Sequence, residues 1–340
     1  MKNTEKTHAF PENWPEEYLR LAMTHPDGEA LFYACGQSVE EYAPDSEALF
    51  DPTGESRCAP IPFVYRKHIG KALVLVTSSC FSYCRFCFRR ASPPSSKKEP
   101  SVDDLCAIRN WLFSNEAVEE VILSGGDPLT LDDSKLATLL TIFGQPPGVK
   151  RLRIHSRAPV VNPKRVTREL VEIFKNSAKP ISMIIHAAHP AELRRELWRC
   201  AELLLDGGIG ILNQSALLKG VNADPATLCH LISKLRSRGI ETKYIHHTDR
   251  APGNAKFRVS IREGLSILRK LSGLLDDPPD YVIDLPNGAG KFPVSSLSVV
   301  DKVSTPEGIK RRYRWNGPVH DDAATEERPP FEWWDITEQE

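Results

Sequence analysis

From residue 72 onward, short apolar and β-branched runs alternate with longer stretches whose apolar residues recur at helical spacing. The runs that predict buried strands are 72–77, 119–124, 150–156, 181–187, 209–214 and 242–247. The stretches that predict helices lie near 103–115, 133–143, 163–176, 190–206, 225–238 and 260–272. The strands are mostly about thirty residues apart, which is the length of a βαβ unit. This alternation predicts an α/β protein built on a parallel sheet.

The rhythm favours a barrel or partial barrel, with a doubly wound open sheet as the alternative, because periodicity alone does not show closure. We expect a helical or irregular lead-in at 1–70, a barrel at 71–295, and a hairpin with an acidic tail at 296–340. The tail carries Phe331, Trp333 and Trp334 among its acids. We expect it to be partly disordered, and docking on another subunit through these aromatics is the alternative.

Charge and composition narrow the function classes. The 340 residues include 44 basic and 45 acidic ones, so the formal net charge of −1 makes no case for nucleic acid or an anionic membrane. The polar N-terminus lacks the apolar stretch of a signal peptide, and no segment has the length of a membrane span. Five of the eight cysteines are scattered singly, as reduced thiols are. We expect a cytoplasmic protein with a small-molecule substrate.

Three cysteines stand close together directly after the first predicted strand. Cys80, Cys84 and Cys87 could offer three thiolates to a [4Fe-4S] cluster, which would leave one iron open to a small molecule. The alternative is a structural zinc site completed by Cys58 or Cys106. The unequal spacing and the absence of a second close cysteine pair favour the cluster.

Polar and glycine-rich segments follow the other predicted strands. They are Ser124–Pro128, His155–Arg157, His186 with His189, Asn213–Ser215 and His246–Arg250. Together they indicate one functional face at the carboxyl ends of the strands. His186 and His189 could be metal ligands, but His189 precedes Pro190 at a helix start and is explained as well by capping.

A lysine ends the glycine-rich segment that follows the run 281–284. Lys291 could be a phosphate contact or part of a solvated turn. It could equally form a Schiff base with pyridoxal phosphate (PLP), because flanking glycines leave a lysine side chain room to move. The residue chemistry leaves both possibilities open.

Taken together, these segments resemble the lysine 2,3-aminomutase family of radical SAM (S-adenosylmethionine) enzymes. The motifs that carry the resemblance, over about residues 60–315, are Cys80–Arg90, Ser124–Asp127, Arg153–Arg157, Asn213–Ser215 and Asn287–Lys291. The resemblance implies a partial (β/α)6 TIM-like barrel of the radical SAM type. It also implies a [4Fe-4S] cluster, SAM and PLP as cofactors, a homo-oligomer, and an electron donor of the flavodoxin or ferredoxin type.

The resemblance also implies roles for individual residues. The cluster ligands would be Cys80, Cys84 and Cys87. The SAM contacts would be Phe86, Ser124, Gly125, Gly126, Asp127, Ser156, His186, Asn213 and Gln214. PLP would be held by Lys291, with Lys67, His68 and Lys71 at its phosphate. Arg89 would bind the substrate carboxylate, and Asp249 and Asp284 would face the distal ammonium group of a basic substrate.

The implied activity is an isomerase that moves the α-amino group of L-lysine from C2 to C3. Arginine or ornithine is the alternative substrate, with His246, His247, Arg250 or Asn287 reshaping the pocket, and a supply of β-lysine for elongation factor P is an alternative role. A PLP-free radical SAM enzyme or a non-catalytic metal-binding protein is the alternative of another class. Asp224 stands where family members with an intersubunit zinc have a cysteine, and no cysteine follows Cys229, so we expect no such zinc.

Overall fold

The computed structural model describes residues 10–91, 99–286, 288–315 and 331–338. Its strands are β1 (Val64–His68), β2 (Lys71–Thr77), β3 (Glu120–Gly125), β4 (Arg151–His155), β5 (Ile181–Ile185), β6 (Gly210–Ala216), β7 (Glu241–His246), β8 (Asp280–Leu285), β9 (Gly290–Pro293), β10 (Ser298–Thr305), β11 (Gly308–Trp315) and β12 (Phe331–Trp334). Its α-helices are α1 (Glu16–Thr24), α2 (Gly28–Cys35), α3 (Val102–Ser114), α4 (Asp133–Gly144), α5 (Ala158–Val161), α6 (Arg168–Lys175), α7 (Arg195–Asp206), α8 (Pro225–Arg236) and α9 (Ile261–Ser272).

Strands β1 to β9 form one sheet in sequence order. Strands β2 to β8 are parallel, and β1 and β9 pair antiparallel to them at the two edges. The edges approach each other, since a Cβ on Gly290 of β9 would lie 3.1 Å from Cε1 of His68 on β1. The sheet is therefore a nearly closed barrel with helices between its parallel strands. This confirms the predicted α/β partial barrel and each of the predicted strands.

Side-chain caps set the starts of several helices. Ser101 accepts a hydrogen bond from the amide of Asp104 at 3.2 Å at the start of α3, and Ser260 accepts one from the Glu263 amide at 3.1 Å at the start of α9. Asp224 caps α8 in the same way, accepting from the Thr227 amide at 2.8 Å. The aspartate that the sequence analysis singled out at this position thus has a local structural role.

Two predicted helices begin later than expected. The stretch 163–176 is a 3-10 turn at Pro163–Arg165 followed by α6, and 190–206 is a 3-10 turn at Pro190–Glu192 followed by α7. Pro163 and Pro190 are the first residues of these 3-10 turns and not of the α-helices. Thr167 has an extended backbone and caps α6, which separates that helix from the turn before it.

The expected helical or irregular lead-in contains α1 and α2, but it also contributes a strand. Strand β1 was missed because four of its five residues, Tyr65 to His68, are polar or aromatic and only half-buried, so the run shows no apolar pattern. Such a composition is common at the edge of a sheet. Strand β9, which carries Lys291, was missed because it has only four residues.

The hairpin expected within 296–320 is confirmed as β10 and β11, which pair around Thr305 and Gly308. The expected disorder is wrong for 331–338, because β12 adds to β11 as a third strand. Trp333 is buried there and lies opposite Tyr313, so the aromatic residues dock on their own chain rather than on another subunit. The rest of the tail, 316–330 and 339–340, lies outside the described residues.

The barrel is built on two apolar cores. The larger one lies between strands β1 to β6 and the helices around them, and the smaller one joins β7 to β9 to the three-stranded sheet. The longest helix among the described residues, α3, has 13 residues, and none in this part of the chain is both long and apolar enough to cross a bilayer.

Candidate active site

The barrel encloses a cavity of about 640 Å³. Most of its lining comes from the carboxyl ends of β2 to β8 and from the loops that follow them, which is where barrel enzymes place their chemistry. The residues proposed from the sequence that line it are Lys67, His68, Lys71, Cys80, Cys84, Phe86, Cys87, Arg89, Ser124, Gly125, Gly126, Asp127, Ser156, His186, Gln214, Asp249, Asp284 and Lys291. The structure thus brings all but one of the site residues proposed from the sequence together around one cavity.

Asn213 is the exception. Its side chain is fully buried and accepts a hydrogen bond from the Ala187 amide at 2.9 Å, between neighbouring strands. Alternate residues of a strand point to opposite faces, so Gln214 lines the cavity while Asn213 points away from it. The proposed contact between Asn213 and SAM has no support in this geometry.

The cysteine loop is tied to the lead-in by the residue between two of its cysteines. Arg85 has a fully buried side chain that donates from Nε to Glu41 at 2.8 Å and from Nη1 to the Pro11 carbonyl at 2.7 Å. Because Arg85 points outward, the neighbouring Cys84 and Cys87 point into the cavity. The loop is therefore held by contacts that leave its thiols facing the cavity.

These thiols fit a cluster better than a single ion. Cys58 and Cys106, which could have completed a zinc site, are not among the residues that line the cavity. Within the described ranges, no three Cys, His, Asp or Glu side chains converge closely enough to hold one metal ion. A four-iron cluster instead takes one thiolate at each of several corners. Burial raises the pKa of the Cys80 thiol, and a bound metal would favour its thiolate form.

The glycines of the segment Ser124–Pro128 are required because the backbone of the cysteine loop packs directly against them. The amide of Gly126 donates to the Thr77 carbonyl at 2.7 Å, and that of Asp127 donates to the Ser79 carbonyl at 2.7 Å. A Cβ on Gly126 would collide with the Ser79 carbonyl, and Gly125 has a φ of +128°. The close approach that these glycines allow is therefore made by the protein chain itself.

Asp127 is used internally as well. Its carboxylate accepts hydrogen bonds from Ser156 Oγ at 2.6 Å and from the amides of Leu129, Arg157 and Ala158 at 2.9–3.0 Å. Burial raises the pKa of Asp127, and these hydrogen bonds oppose the rise. The carboxylate therefore holds the turn after β4, and its contact with SAM stays a prediction.

Two histidines carry polar atoms with no partner in the cavity wall. Nε2 of His155 and Nε2 of His186 are buried and make no hydrogen bond with any residue in the described ranges. Burial lowers the pKa of His186 to about 4, with a further contribution from Arg157, so its ring is neutral near pH 7. The ring also lies edge-on to Phe86, with 5.4 Å between centroids. Buried polar atoms without partners indicate a missing polar ligand at this place. The alternative capping role of His189 is confirmed, since its Nδ1 accepts from the Ala191 amide at 3.2 Å.

Lys291 lies directly opposite Asp284 in the antiparallel pair of β8 and β9. Its Nζ is 3.8 Å from the Asp284 carboxylate, 3.1 Å from Nε2 of His246 and 4.2 Å from the ring centroid of Tyr244. Burial lowers the pKa of His246, and the charge of Lys291 lowers it further, so the imidazole is neutral near pH 7 and accepts from the lysine. The lysine amine is thus held at one wall of the cavity.

Asp284 and Asp249 are both partly buried, but their pKa values shift in opposite directions. Burial alone would raise the pKa of Asp284, yet Lys291 and then Lys67 outweigh it and lower the pKa. Burial raises the pKa of Asp249 well above its usual value, and the nearby Asp284 raises it further. One carboxylate is therefore charged, and the other becomes charged only when another cation is near.

The three residues proposed for a phosphate line the same cavity from β1 and β2. Lys67 donates to the Thr53 carbonyl at 2.7 Å and lies 3.6 Å from Asp284. Burial lowers the pKa of His68, as does the charge of Lys71, so His68 is neutral near pH 7. This edge of the cavity is cationic through its lysines, and it fits an anionic group.

Arg89 points into the cavity, but its guanidinium group is already paired with a carboxylate of the protein. Nε and Nη2 pair with the two carboxylate oxygens of Glu55, at 2.9 and 2.5 Å. The sequence analysis missed Glu55, which lies in the lead-in with no motif around it. It also missed Tyr65, Lys243 and Tyr244 as lining residues. The alternation of β7 could have indicated Tyr244, two positions before His246. Asn287, named as an alternative pocket residue, lies outside the described residues.

The comparisons with known proteins agree with this geometry. A model of the radical SAM superfamily matches residues 74–244, just over half of the chain, including the cysteine loop and the ends of β3 to β6. The barrel and its cysteine loop are thus those of a radical SAM protein.

Comparison with individual proteins identifies the family within the radical SAM superfamily. The chain is 37% identical over 268 residues to the L-lysine 2,3-aminomutase of Escherichia coli, which covers 77% of this chain and 76% of that one. It is 33% identical over 265 residues to the enzyme of that name from Methanococcus maripaludis and 32% identical over 267 residues to that from Fusobacterium nucleatum. The chain belongs to the lysine 2,3-aminomutase family. It spans 61% and 63% of the lengths of the latter two proteins.

Proposed function

We propose that this protein is a radical SAM, PLP-dependent 2,3-aminomutase that moves the α-amino group of a basic amino acid from C2 to C3, with L-lysine as substrate and β-lysine as product. The observation that carries the proposal is the placement of Lys291 and of the three loop cysteines on the walls of one cavity. A one-electron donor of the flavodoxin or ferredoxin type and a homo-oligomeric assembly are parts of the proposal.

The lining offers a place for each cofactor. Cys80, Cys84 and Cys87 would hold the cluster, and the unpartnered Nε2 atom of His186 is a ready contact for SAM beside Phe86. Lys291 would hold PLP, with its phosphate at the cationic edge formed by Lys67, His68 and Lys71. When bound, the cluster and SAM supply hydrogen-atom abstraction, and PLP supplies the conjugated nitrogen that carries the amino group.

The protein's own part is to bind and orient the amino acid. Arg89 offers a planar fork that matches a carboxylate. Asp249 and Asp284 stand on the cavity wall as a pair of partly buried carboxylates, and a distal ammonium group between them would favour the charged form of Asp249. Lys291 and Lys67 already lie beside Asp284, whereas a neutral substrate side chain would bring no further cation to Asp249, so the site favours a basic substrate.

The residues around Lys291 hold its amine in place. The neutral imidazole of His246 accepts from Nζ, and the carboxylate of Asp284 keeps a negative charge beside it. The ring of Tyr244 lies beside the amine, with its centroid 4.2 Å from Nζ. These contacts orient the lysine toward the cavity and restrict the access of water.

The test is anaerobic reconstitution with iron, sulfide, SAM and PLP, followed by absorbance spectra and product analysis. Lys291→Ala is expected to abolish the absorbance of lysine-bound PLP and all turnover while keeping the iron-sulfur spectrum. Lys219→Ala, an exposed lysine outside the cavity, is the matched control and is expected to behave as the wild type. Mutase activity in Lys291→Ala, or a wild type that takes up the cluster but no PLP, would contradict the proposal. A panel of L-lysine, L-arginine and L-ornithine identifies the substrate.

A further inference from the structure

The cation proposed to bind the substrate carboxylate is already paired within the protein. Arg89 and Glu55 form a two-point ion pair, and their side chains are only 16% and 12% exposed. The remaining nitrogen of Arg89, Nη1, lies 3.4 Å from Ser124 Oγ and 3.3 Å from the Gly125 carbonyl. The edge formed by Nε and Nη2 pairs with one carboxylate at a time. Glu55 therefore occupies the edge of Arg89 at which another carboxylate would bind.

The backbone that carries Glu55 is held independently of its side chain. The Asp51 carboxylate accepts hydrogen bonds from the amide of Glu55 at 2.8 Å and from that of Ser56 at 2.9 Å. Lys67 donates to the Thr53 carbonyl at 2.7 Å. The segment 51–58 therefore keeps its shape when the Glu55 side chain changes its contacts, and that side chain alone has to move.

The same segment also contacts the loop of Lys291. Cys58 Sγ donates to the Gly288 carbonyl at 3.2 Å. A Cβ on Gly288 would lie 2.9 Å from the Gly54 carbonyl oxygen and 3.0 Å from Cys58 Sγ, and its φ is +82°. Glu55 is thus on a turn packed between Arg89 and the loop that precedes Lys291, at the wall where an amino acid held near Lys291 would place its carboxylate.

We propose that Glu55 is an internal ligand of Arg89 that the carboxylate of the amino acid displaces. This inference rests on the proposed function, in which Arg89 binds that carboxylate. Exchange of one carboxylate for another keeps the buried guanidinium paired in both states, which avoids an uncompensated buried charge. Glu55 lowers the affinity for every α-amino acid, and it excludes from the Arg89 fork any analogue that lacks a carboxylate.

The test compares Glu55→Gln with the wild type, both loaded with PLP, by calorimetric titration with L-lysine and with L-lysinamide. Gln keeps the size of the side chain and removes its charge. L-lysine is expected to bind about tenfold more tightly to Glu55→Gln, since a competing charge-assisted hydrogen bond is weakened. L-lysinamide has no carboxylate and is expected to change less than about twofold.

Two further variants serve as controls for these titrations. Glu16→Gln removes an exposed ion pair with Arg20 on α1 and is expected to leave both titrations unchanged. Glu55→Asp keeps the charge on a shorter side chain that reaches Arg89 less well, and L-lysine is expected to bind it with intermediate affinity. This variant also serves as the folding control, with a thermal unfolding scan on each protein.

L-lysine binding to Glu55→Gln that is unchanged or weaker than in the wild type would overturn the inference. An equal gain for L-lysinamide would also overturn it, because the gain would then not depend on a carboxylate. Failure of the proposed function would be seen differently, as a wild type without absorbance from lysine-bound PLP or without a β-amino acid product.

Discussion

Arg157 donates a hydrogen bond from Nη2 to the Glu192 carboxylate at 2.6 Å, and the two side chains are 8% and 0% exposed. Its Nη1 donates to Cys84 Sγ at 2.6 Å, and the hydroxyl of Tyr18 donates to the same Glu192 oxygen at 2.7 Å. The pair therefore joins the end of β4 and the turn after β5 to α1 and the cysteine loop. Each of these two buried charges is compensated by the other, so loss of either side chain leaves a buried charge without its partner.

We expect Arg157→Gln and Glu192→Gln each to lower the free energy of unfolding by about 3–5 kcal/mol, because each leaves a buried charge uncompensated. The double variant is expected to be less destabilised than the sum of the two by about 2 kcal/mol or more. Urea unfolding of the cluster-free protein under reducing conditions measures all three. Arg238→Gln, which removes an exposed pair with Glu202, is the control and should cost less than about 1 kcal/mol. Additive losses in the double variant would show that the pair does not act as a unit.

Substrate selectivity tests the role of the paired carboxylates. We expect Asp284→Asn to weaken binding of L-lysine at least about tenfold more than binding of L-norleucine, which has the same chain length but no distal ammonium group. The reason is that the pKa of Asp284 is lowered, so this residue supplies a negative charge for the distal ammonium group, whereas burial raises the pKa of Asp249 well above its usual value. Calorimetric titration of the PLP-loaded protein with both ligands gives the ratio. If both affinities fell equally, Asp284 would serve only Lys291, which lies 3.8 Å away.

The pH dependence of stability should include a contribution from Asp335. This residue follows β12, is 3% exposed, and accepts a hydrogen bond from the Ile261 amide at 2.7 Å at the start of α9. Burial raises its pKa to about 6, although hydrogen bonds from the Ile261 and Ile336 amides oppose the rise. Since an unfolded aspartate has a pKa of about 3.9, the folded chain holds this proton more tightly. Its stabilising contribution is complete below about pH 4 and is lost as the pH rises through about 6.

We therefore compare the wild type with Asp335→Asn, which keeps an oxygen acceptor for the Ile261 amide and does not titrate. From pH 4 to pH 7, the free energy of unfolding of the wild type is expected to fall by about 2 kcal/mol relative to the variant. Urea unfolding at several pH values measures the difference. A difference that stays constant over this range would mean that Asp335 titrates alike in both states.

Several properties follow from the sequence alone because they depend on residues close together in the chain. The alternation of apolar runs and amphipathic stretches predicted β2 to β7 and the parallel sheet, since burial of a strand or of a helix face shows in its own periodicity. The spacing of Cys80, Cys84 and Cys87 after a strand predicted where the loop would lie. The lysine after a glycine-rich segment was found in the same way, although β9 itself was too short to predict.

Other properties depend on contacts between residues far apart in the chain, and only the tertiary structure decided them. Glu55 meets Arg89 because the lead-in folds back over the cavity, and no local pattern indicates this. Asp127 makes its hydrogen bonds to the turn after β4, and Asn213 faces away from the cavity, although both stand at strand ends where polar residues are expected. A residue's position at a strand end follows from sequence, whereas its partner depends on which distant segment the folded chain brings against it.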